Sequence, residues 1–198
     1  MRNRIALAST AAVALMLTAP AFAQTARAPA TAPNGTATAP SGQQQMSRAD
    51  LDFMKNAAIG GMAEVELGKL AQQNAQDEQV KQFGARMEQD HSQANAQLET
   101  VATGKGVQLP KQLDRQHQQD LDRLSRLRGG AFDHTYMRMM VQDHDKDLKE
   151  FKHEAQTARD PDLKQFAEQT TQVIQQHDQM AHEITRSLTA TGSSRPRR

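Results

Sequence analysis

Hydrophobic positions between residues 47 and 190 recur with the period of amphipathic helices, and no segment alternates as a half-buried strand would. Cap signals divide this stretch. Ser47 and Asp50 form an S-x-x-D helix start, Asp77 is an N-cap residue, and Asp160 followed by a proline opens the last helix. The pattern predicts long helices at about 47–76, 77–103, 131–158 and 160–188, and a shorter amphipathic helix at about 111–128.

A weak internal repeat relates the two halves of this region. The motif D-x-x-V-K-Q-F at 77–83 recurs as D-x-x-L-K-Q-F at 160–166, and each copy opens the second helix of a hairpin. A long segment, 104–130, joins the two hairpins and is broken near Gly129 and Gly130. We therefore predict an all-α fold: a ferritin-like four-helix bundle of two antiparallel hairpins, with a short extra helix in the crossover.

The chain ends have a different character. Arg2 and Arg4 precede an apolar stretch at 5–19 and the sequence Ala-Phe-Ala at 21–23, which together predict a Sec signal peptide cleaved after Ala23. Residues 24–46, rich in Ala, Thr, Pro and Gln, predict a disordered linker. The folded domain is then 47–190, followed by a disordered basic tail at 191–198. We expect a periplasmic or secreted protein, with association to the outer membrane left open.

Composition excludes several function classes. Aromatic residues make up only 4% of the chain, which disfavours a β-sandwich or barrel. The absence of cysteine excludes disulfides, thiolate metal sites, a cysteine nucleophile and a lipid anchor. The net charge of +1, about −1 after signal cleavage, gives no reason to expect nucleic acid or a membrane surface as partner. No further transmembrane segment is predicted. Motifs of nucleotide binding and hydrolysis are missing too.

Each long helix directs one metal-capable residue toward the bundle interior. At about 100° per residue, these residues fall within the small or apolar face of their helix, whereas the other histidines fall toward polar sides or on the short helix. The four inward residues are Glu64, His91, His144 and His177.

Their heights along the bundle also match. Glu64 lies thirteen residues before the Asp77 cap and His91 lies fourteen after it. His144 lies sixteen residues before the Asp160 cap, and His177 lies seventeen after it. Because a mismatch of one residue is about 1.5 Å of rise, each antiparallel hairpin brings its two polar residues to one level.

One carboxylate and three imidazoles in a core suit a transition-metal ion such as Zn, Fe, Mn, Ni or Cu. Several neighbours are candidates for hydrogen-bond acceptors to the ligands or for further ligands: Asp90, Asp143, Asp147, Glu88, Met87 and Met140. Two alternatives stay open. The polar groups could form a metal-free network that stabilises the core. A di-metal oxidase could use Glu64, Glu88, His91, Asp147 and His177.

Four segments carry a family resemblance. They are G-G-M-A-E-V-E-L-G-K-L-A at 60–71, V-K-x-F-x-x-x-M-x-x-D-H-S at 80–92, F-D-x-x-Y-M-x-x-M-V-x-D-H at 132–144 and D-L-K-x-F-A at 162–167. Over about 47–187 the chain resembles the bacterial "domain of unknown function 4142" family. The resemblance implies an exported, ferritin-like bundle, often labelled as an outer-membrane protein, and no known activity. Ferritins usually place Glu where this chain has His144, which argues against ferroxidase chemistry.

The sequence thus predicts an exported helical bundle that binds a transition-metal ion in its core, with a role in metal binding or envelope stress. The alternative is a structural or interaction module of the cell envelope that contains no metal. An envelope protein or the outer membrane is the expected partner, and no catalytic residue is assigned.

Overall fold

The computed structural model describes residues 46–193, and all regular structure in this range is helical. None of these helices is long and apolar enough to span a bilayer. The predicted signal peptide, nearly all of the predicted linker and residues 194–198 of the predicted tail lie outside the described residues. The helices are α1 (Arg48–Asn74), α2 (Glu78–Gly104), α3 (Arg115–Ser125), α4 (Gly129–Thr157) and α5 (Pro161–Ser193).

The all-α prediction is confirmed, and the helix boundaries differ from the prediction in several places. The short helix begins only at Arg115, because Asp114 rather than a residue near 111 caps it by accepting a bond from the His117 amide. Gly129 has a positive φ of 60° and begins α4, where a break was predicted. The last helix continues to Ser193, five residues beyond the predicted end at 188.

The predicted caps form as expected. Ser47 Oγ accepts a bond from the Asp50 amide at 3.1 Å, and the Asp77 carboxylate accepts one from the Gln79 amide at 2.8 Å. Asp160 Oδ1 accepts a bond from the Leu163 amide at 3.0 Å. Each cap satisfies an amide that the first helical turn would otherwise leave without a partner.

Polar contacts at both ends of the bundle set its topology. The Asp133 carboxylate, near the start of α4, accepts 3.0 Å bonds from the Gln76 and Asp77 amides in the α1–α2 turn. At the other end, Lys105 after α2 pairs with Asp160 before α5 at 2.6 Å. The segment between α2 and α4 therefore returns along the bundle, so α2 and α4 run in the same direction. This long crossover between two antiparallel hairpins is compatible with a ferritin-like arrangement.

Glycines allow α1 and α2 to approach closely. A Cβ on Gly68 would lie 2.5 Å from the Gly84 carbonyl oxygen, and a Cβ on Gly84 would lie 2.6 Å from the Cβ of Ala71. Such distances exclude any larger residue without separation of the helices. The backbone that carries Glu64 is therefore held close to the helix that carries His91.

The core consists of two hydrophobic clusters. One includes Phe83, Met87 and Met140, and the other includes Leu98, Phe151 and Ile174. On α2, α4 and α5, a buried histidine falls between the residues that belong to one cluster and those that belong to the other. A polar layer therefore interrupts the hydrophobic core of the bundle.

Candidate metal centre

Three histidines from three helices converge in this polar layer. His91 on α2, His144 on α4 and His177 on α5 are 8%, 1% and 0% exposed. Their ring centroids are 5.4–5.9 Å apart, and one ring nitrogen from each lies within 4.8 Å of the other two. We call these residues the histidine triad. The sequence predicts that His144 and His177 lie at one height along the bundle, and in the structure His91 lies at that height too.

Hydrogen bonds fix the orientation of two of the rings. His144 Nδ1 donates to the Met140 carbonyl oxygen at 2.9 Å, because a carbonyl can only accept. His177 Nε2 lies 2.9 Å from Asp90 Oδ2 and, in the neutral ring, donates to it. The opposite nitrogen of each ring then carries a lone pair rather than a proton.

Those opposite nitrogens have no hydrogen-bond partner. The buried, unpartnered atoms are Nε2 of His144, Nδ1 of His177 and Nε2 of His91. Leaving a buried polar atom unpartnered costs about 1–3 kcal/mol. One orphaned nitrogen on each of three neighbouring rings is the arrangement expected of a site whose ligand bonds all three.

Electrostatics keep the triad neutral. Burial is the largest cause that lowers the pKa of His91 well below its usual value, and repulsion from the other two rings adds to it. Burial also lowers the pKa of His144 to about 4 and outweighs the Asp90 contact in lowering that of His177. Neutral imidazole is the form that binds a metal ion, so the triad is ready to ligate at neutral pH.

Asp90 connects the triad to the surface. Its carboxylate pairs with Arg86 on the same helix and accepts the bond from His177 on α5. Burial opposes its ionisation, but the bonds from Arg86 and His177 outweigh that cost and lower the pKa of Asp90. The sequence predicts Asp90 as an acceptor for a metal ligand. The structure pairs it with His177 rather than with its neighbour His91.

Glu64 is buried but does not join the convergent nitrogens. It is 4% exposed, and its Oε2 has no hydrogen-bond partner. Among the described residues, Glu64 does not belong to any group of three donor atoms that lie within 4.8 Å of one another. Burial is the largest cause that raises its pKa well above the usual value, and the charges of Asp143 and Asp147 add to it. Ligation by Glu64 therefore stays a prediction that requires its side chain to move.

A cavity of about 230 Å³ lies beside the triad. Its lining includes Glu64, His91, Asp143 and Asp147, so a triad residue and these three acidic side chains line the same space. Burial raises the pKa of Asp143, and it raises the pKa of Asp147 to about 6. We call this space the carboxylate cavity. Asp143 and Asp147 thus lie beside Glu64 rather than bonded to a histidine.

The remaining predicted neighbours have structural contacts. Glu88 accepts a 2.7 Å bond from Gln72 on α1, which ties it to the α1–α2 interface. Met87 and Met140 are fully buried in a hydrophobic cluster, and Met140 contributes its carbonyl oxygen to His144. A second set of donors within 4.8 Å, Asp145, Asp178 and His182, lies between α4 and α5 with two members about half exposed. Sequence analysis did not single out this set, since nothing in the spacing distinguishes it from a solvated helix surface.

Comparisons with known structures agree on the fold. A DUF305 fragment from Deinococcus radiodurans aligns at 13% identity with a TM-score of 0.62, over 71% of this chain and 97% of the other. A DUF305 protein from Streptomyces coelicolor, provisionally described as secreted, aligns at 14% identity and a TM-score of 0.61, over 71% and 92%. A protein provisionally described as a spore coat protein, from Bacillus halodurans, aligns at 15% identity and a TM-score of 0.56, over 78% and 95%.

Such low identities show a shared helical fold and carry nothing about function. No curated protein matches the chain. A family model does match, over residues 35–184, which is most of the chain and includes the triad and the carboxylate cavity. The chain therefore belongs to the family described as "Domain of unknown function (DUF4142)".

Proposed function

We propose that this protein is an exported helical bundle that binds one transition-metal ion through His91, His144 and His177. The observation that carries the proposal is the convergence of three buried rings, each of which has one ring nitrogen without a partner. Bonds on the far sides of two rings orient them, as is usual for histidines that bind metals. Imidazole nitrogens suit Zn, Cu, Fe and Ni, and geometry rather than affinity selects among them.

Export is supported by the signal-peptide features of residues 1–23 and by the description of the Streptomyces coelicolor neighbour as secreted. From that location and the proposed metal site together, we infer a role in metal binding or in protection of the envelope. The Glu64 carboxylate, which lines the same cavity as His91, is a candidate for a fourth ligand. Its orphaned Oε2 supports this role.

The competing hypothesis is a metal-free polar core in an envelope module. Its support is the pair of hydrogen bonds from His144 and His177, which would stabilise such a core. Its weakness is that the inner nitrogens of the triad have no partner among the described side chains. A network that stabilises the core would bond them to one another or to neighbours.

Metal content and thermal melting separate the two. We expect protein purified from its native compartment to hold one metal ion per chain. A metal at a thousand times its Kd stabilises by about 4 kcal/mol, so a chelator should lower Tm by roughly 8–16 °C. His144→Gln should lose the metal and the chelator effect, whereas the exposed control His134→Gln should keep both. Protein without metal, and with the same Tm in chelator, would refute the proposal.

A further inference from the structure

The carboxylate cavity is lined by more acidic side chains than basic ones. At its rim, Asp114 pairs with His117 at 2.8 Å, and Glu150 pairs with Lys146 at 3.5 Å. The acidic groups farther in have no such partner. Among the described side chains, none forms an ion pair or hydrogen bond with the following three carboxylates: Glu64, Asp143 and Asp147.

Two further observations show that the cavity adjoins the triad and is suited to a ligand. Glu64 and His91 both line it, both are more than nine-tenths buried, and each has an orphaned polar atom, Oε2 and Nε2. Unpartnered buried groups of this kind require a bonding partner. The partner must satisfy a carboxylate and approach a neutral imidazole, which a cation with coordinated water does.

The spacing of the carboxylates favours a hydrated cation. Glu64, Asp143 and Asp147 do not form a set of donors within 4.8 Å of one another, so in this arrangement they do not converge on a single bare ion. A volume of about 230 Å³ has room for several waters of about 30 Å³ each. An ion that keeps its hydration shell can bridge carboxylates at this separation through water.

We propose that the carboxylate cavity binds a hydrated divalent cation and is the route by which the metal ion reaches the histidine triad. The ion is held by Glu64, Asp143 and Asp147 through its waters, and it sheds them as His91 and the other two rings bind it. This inference rests on the proposed function, since it assigns the route to the same metal site. It also assigns separate roles to the two donor sets: the carboxylates capture the ion and the imidazoles retain it.

The test is the rate of Co²⁺ binding, followed by stopped-flow absorbance of the Co²⁺ ligand-field bands. An acidic cavity accelerates cation capture by roughly 10–10³-fold at low salt, and the acceleration falls as salt screens it. Asp143→Asn/Asp147→Asn should therefore bind Co²⁺ about tenfold more slowly at low ionic strength, with a flatter salt dependence and an unchanged final spectrum. Lys146→Gln should change the rate in the opposite direction, since it removes a positive charge from the rim.

The matched control is Asp52→Asn/Glu168→Gln, which removes two charges from exposed positions on α1 and α5 outside the cavity and outside both donor sets. It should bind Co²⁺ at the wild-type rate. If the cavity variant also binds at that rate, or if the wild-type rate does not depend on ionic strength, the proposed route is wrong. The proposal that the triad binds the metal is unaffected by either result. If the cavity variant loses the final spectrum while folding normally, the carboxylates are direct ligands and the hydrated-ion proposal is wrong.

If wild-type protein shows no Co²⁺ bands at all, the proposed function itself fails, which is a separate result. If the double variant does not fold, the salt dependence of the wild type and the acceleration by Lys146→Gln still decide the question. Both must hold for the route to stand.

Discussion

The histidine triad and the carboxylate cavity are neighbours, and their buried polar groups differ in hydrogen bonding and in how closely they converge. In the triad, hydrogen bonds anchor two of the rings, and one nitrogen from each of the three rings lies within 4.8 Å of the other two. In the cavity, three carboxylates are neither paired nor convergent. His91 is the one triad residue that lines the cavity.

The difference teaches that anchoring, rather than residue type alone, prepares a buried group for ligation. An anchored imidazole presents a fixed lone pair without reorganisation, whereas an unanchored carboxylate in a low dielectric retains a proton or attracts a cation. Burial accordingly lowers the pKa of His144 to about 4 and raises that of Asp147 to about 6. The following variants test whether the two regions are as distinct as their geometry indicates.

The largest effect is expected from His91→Leu. Loss of one of three ligands should reduce metal affinity by more than the 10–100-fold typical for loss of a ligand's hydrogen-bond partner. The metal-free protein should melt at the same temperature or higher, because the substitution removes a buried, orphaned nitrogen. Competition with a chromophoric chelator gives the affinity, and melting in excess chelator gives the stability. A large destabilisation of the metal-free protein would favour the structural network.

Asp90→Asn tests the anchoring itself. The amide that replaces the carboxylate cannot hold His177 by a charge-assisted bond, so metal affinity should fall by about 10–100-fold while the three ligands remain. Glu99→Gln, an exposed carboxylate on the same helix as Asp90 and outside both donor sets, is the control. Equal affinities for the two variants would show that the bond to His177 does not prepare the triad.

Gly68→Ala should affect the cavity more than the triad. The added Cβ would lie 2.5 Å from the Gly84 carbonyl oxygen, so α1 must move away from α2 at a cost of about 1–3 kcal/mol. Only Glu64 lies on α1, whereas the triad lies on α2, α4 and α5. We expect a lower Tm with metal affinity retained within about tenfold, and Gly60→Ala, where a Cβ meets nothing, as the harmless control. Loss of metal binding with Gly68→Ala would mean that α1 supplies an essential ligand.

The smallest effect concerns pH in the metal-free protein. The folded-state pKa values of the triad are lowered, so the unfolded chain takes up protons first and stability is lost as pH falls from about 6.5 toward 4. The pKa of Asp147 is raised to about 6, so the folded chain takes up that proton first and stability is gained over the same range. Glu64 acts in the same direction as Asp147.

The Tm of Asp147→Asn should therefore fall more than the Tm of the wild type between pH 7 and pH 5. The difference between the two falls should be a few degrees at this chain length. The measurement is a series of thermal melts in chelator. Parallel curves for the two proteins would show that the carboxylate does not hold the proton that its burial implies.

Much of the fold was predictable because its signals are local. The caps at Ser47, Asp77 and Asp160 form as their sequences indicate, and the helix pairs follow from the short turns. The first residues of α3 and α4 were not predictable. Asp114 competes with earlier positions as the N-cap of α3, and a glycine pair such as the one at the start of α4 can either end or begin a helix. Metal ligation by the triad and Glu64 stays a prediction.

The sequence by itself determined which residues face inward and at what height, because helical rise and rotation per residue are constants of the backbone. It matched the height of Glu64 to that of His91, and the height of His144 to that of His177, before any contact was known. Only the tertiary structure decided that Asp90 bonds His177 across the helix interface, that Glu64 lines the cavity, and that each of the three rings keeps one nitrogen without a partner. Those outcomes depend on side-chain rotamers and on the rotation of each helix about its axis, which are set by packing between segments far apart in the chain.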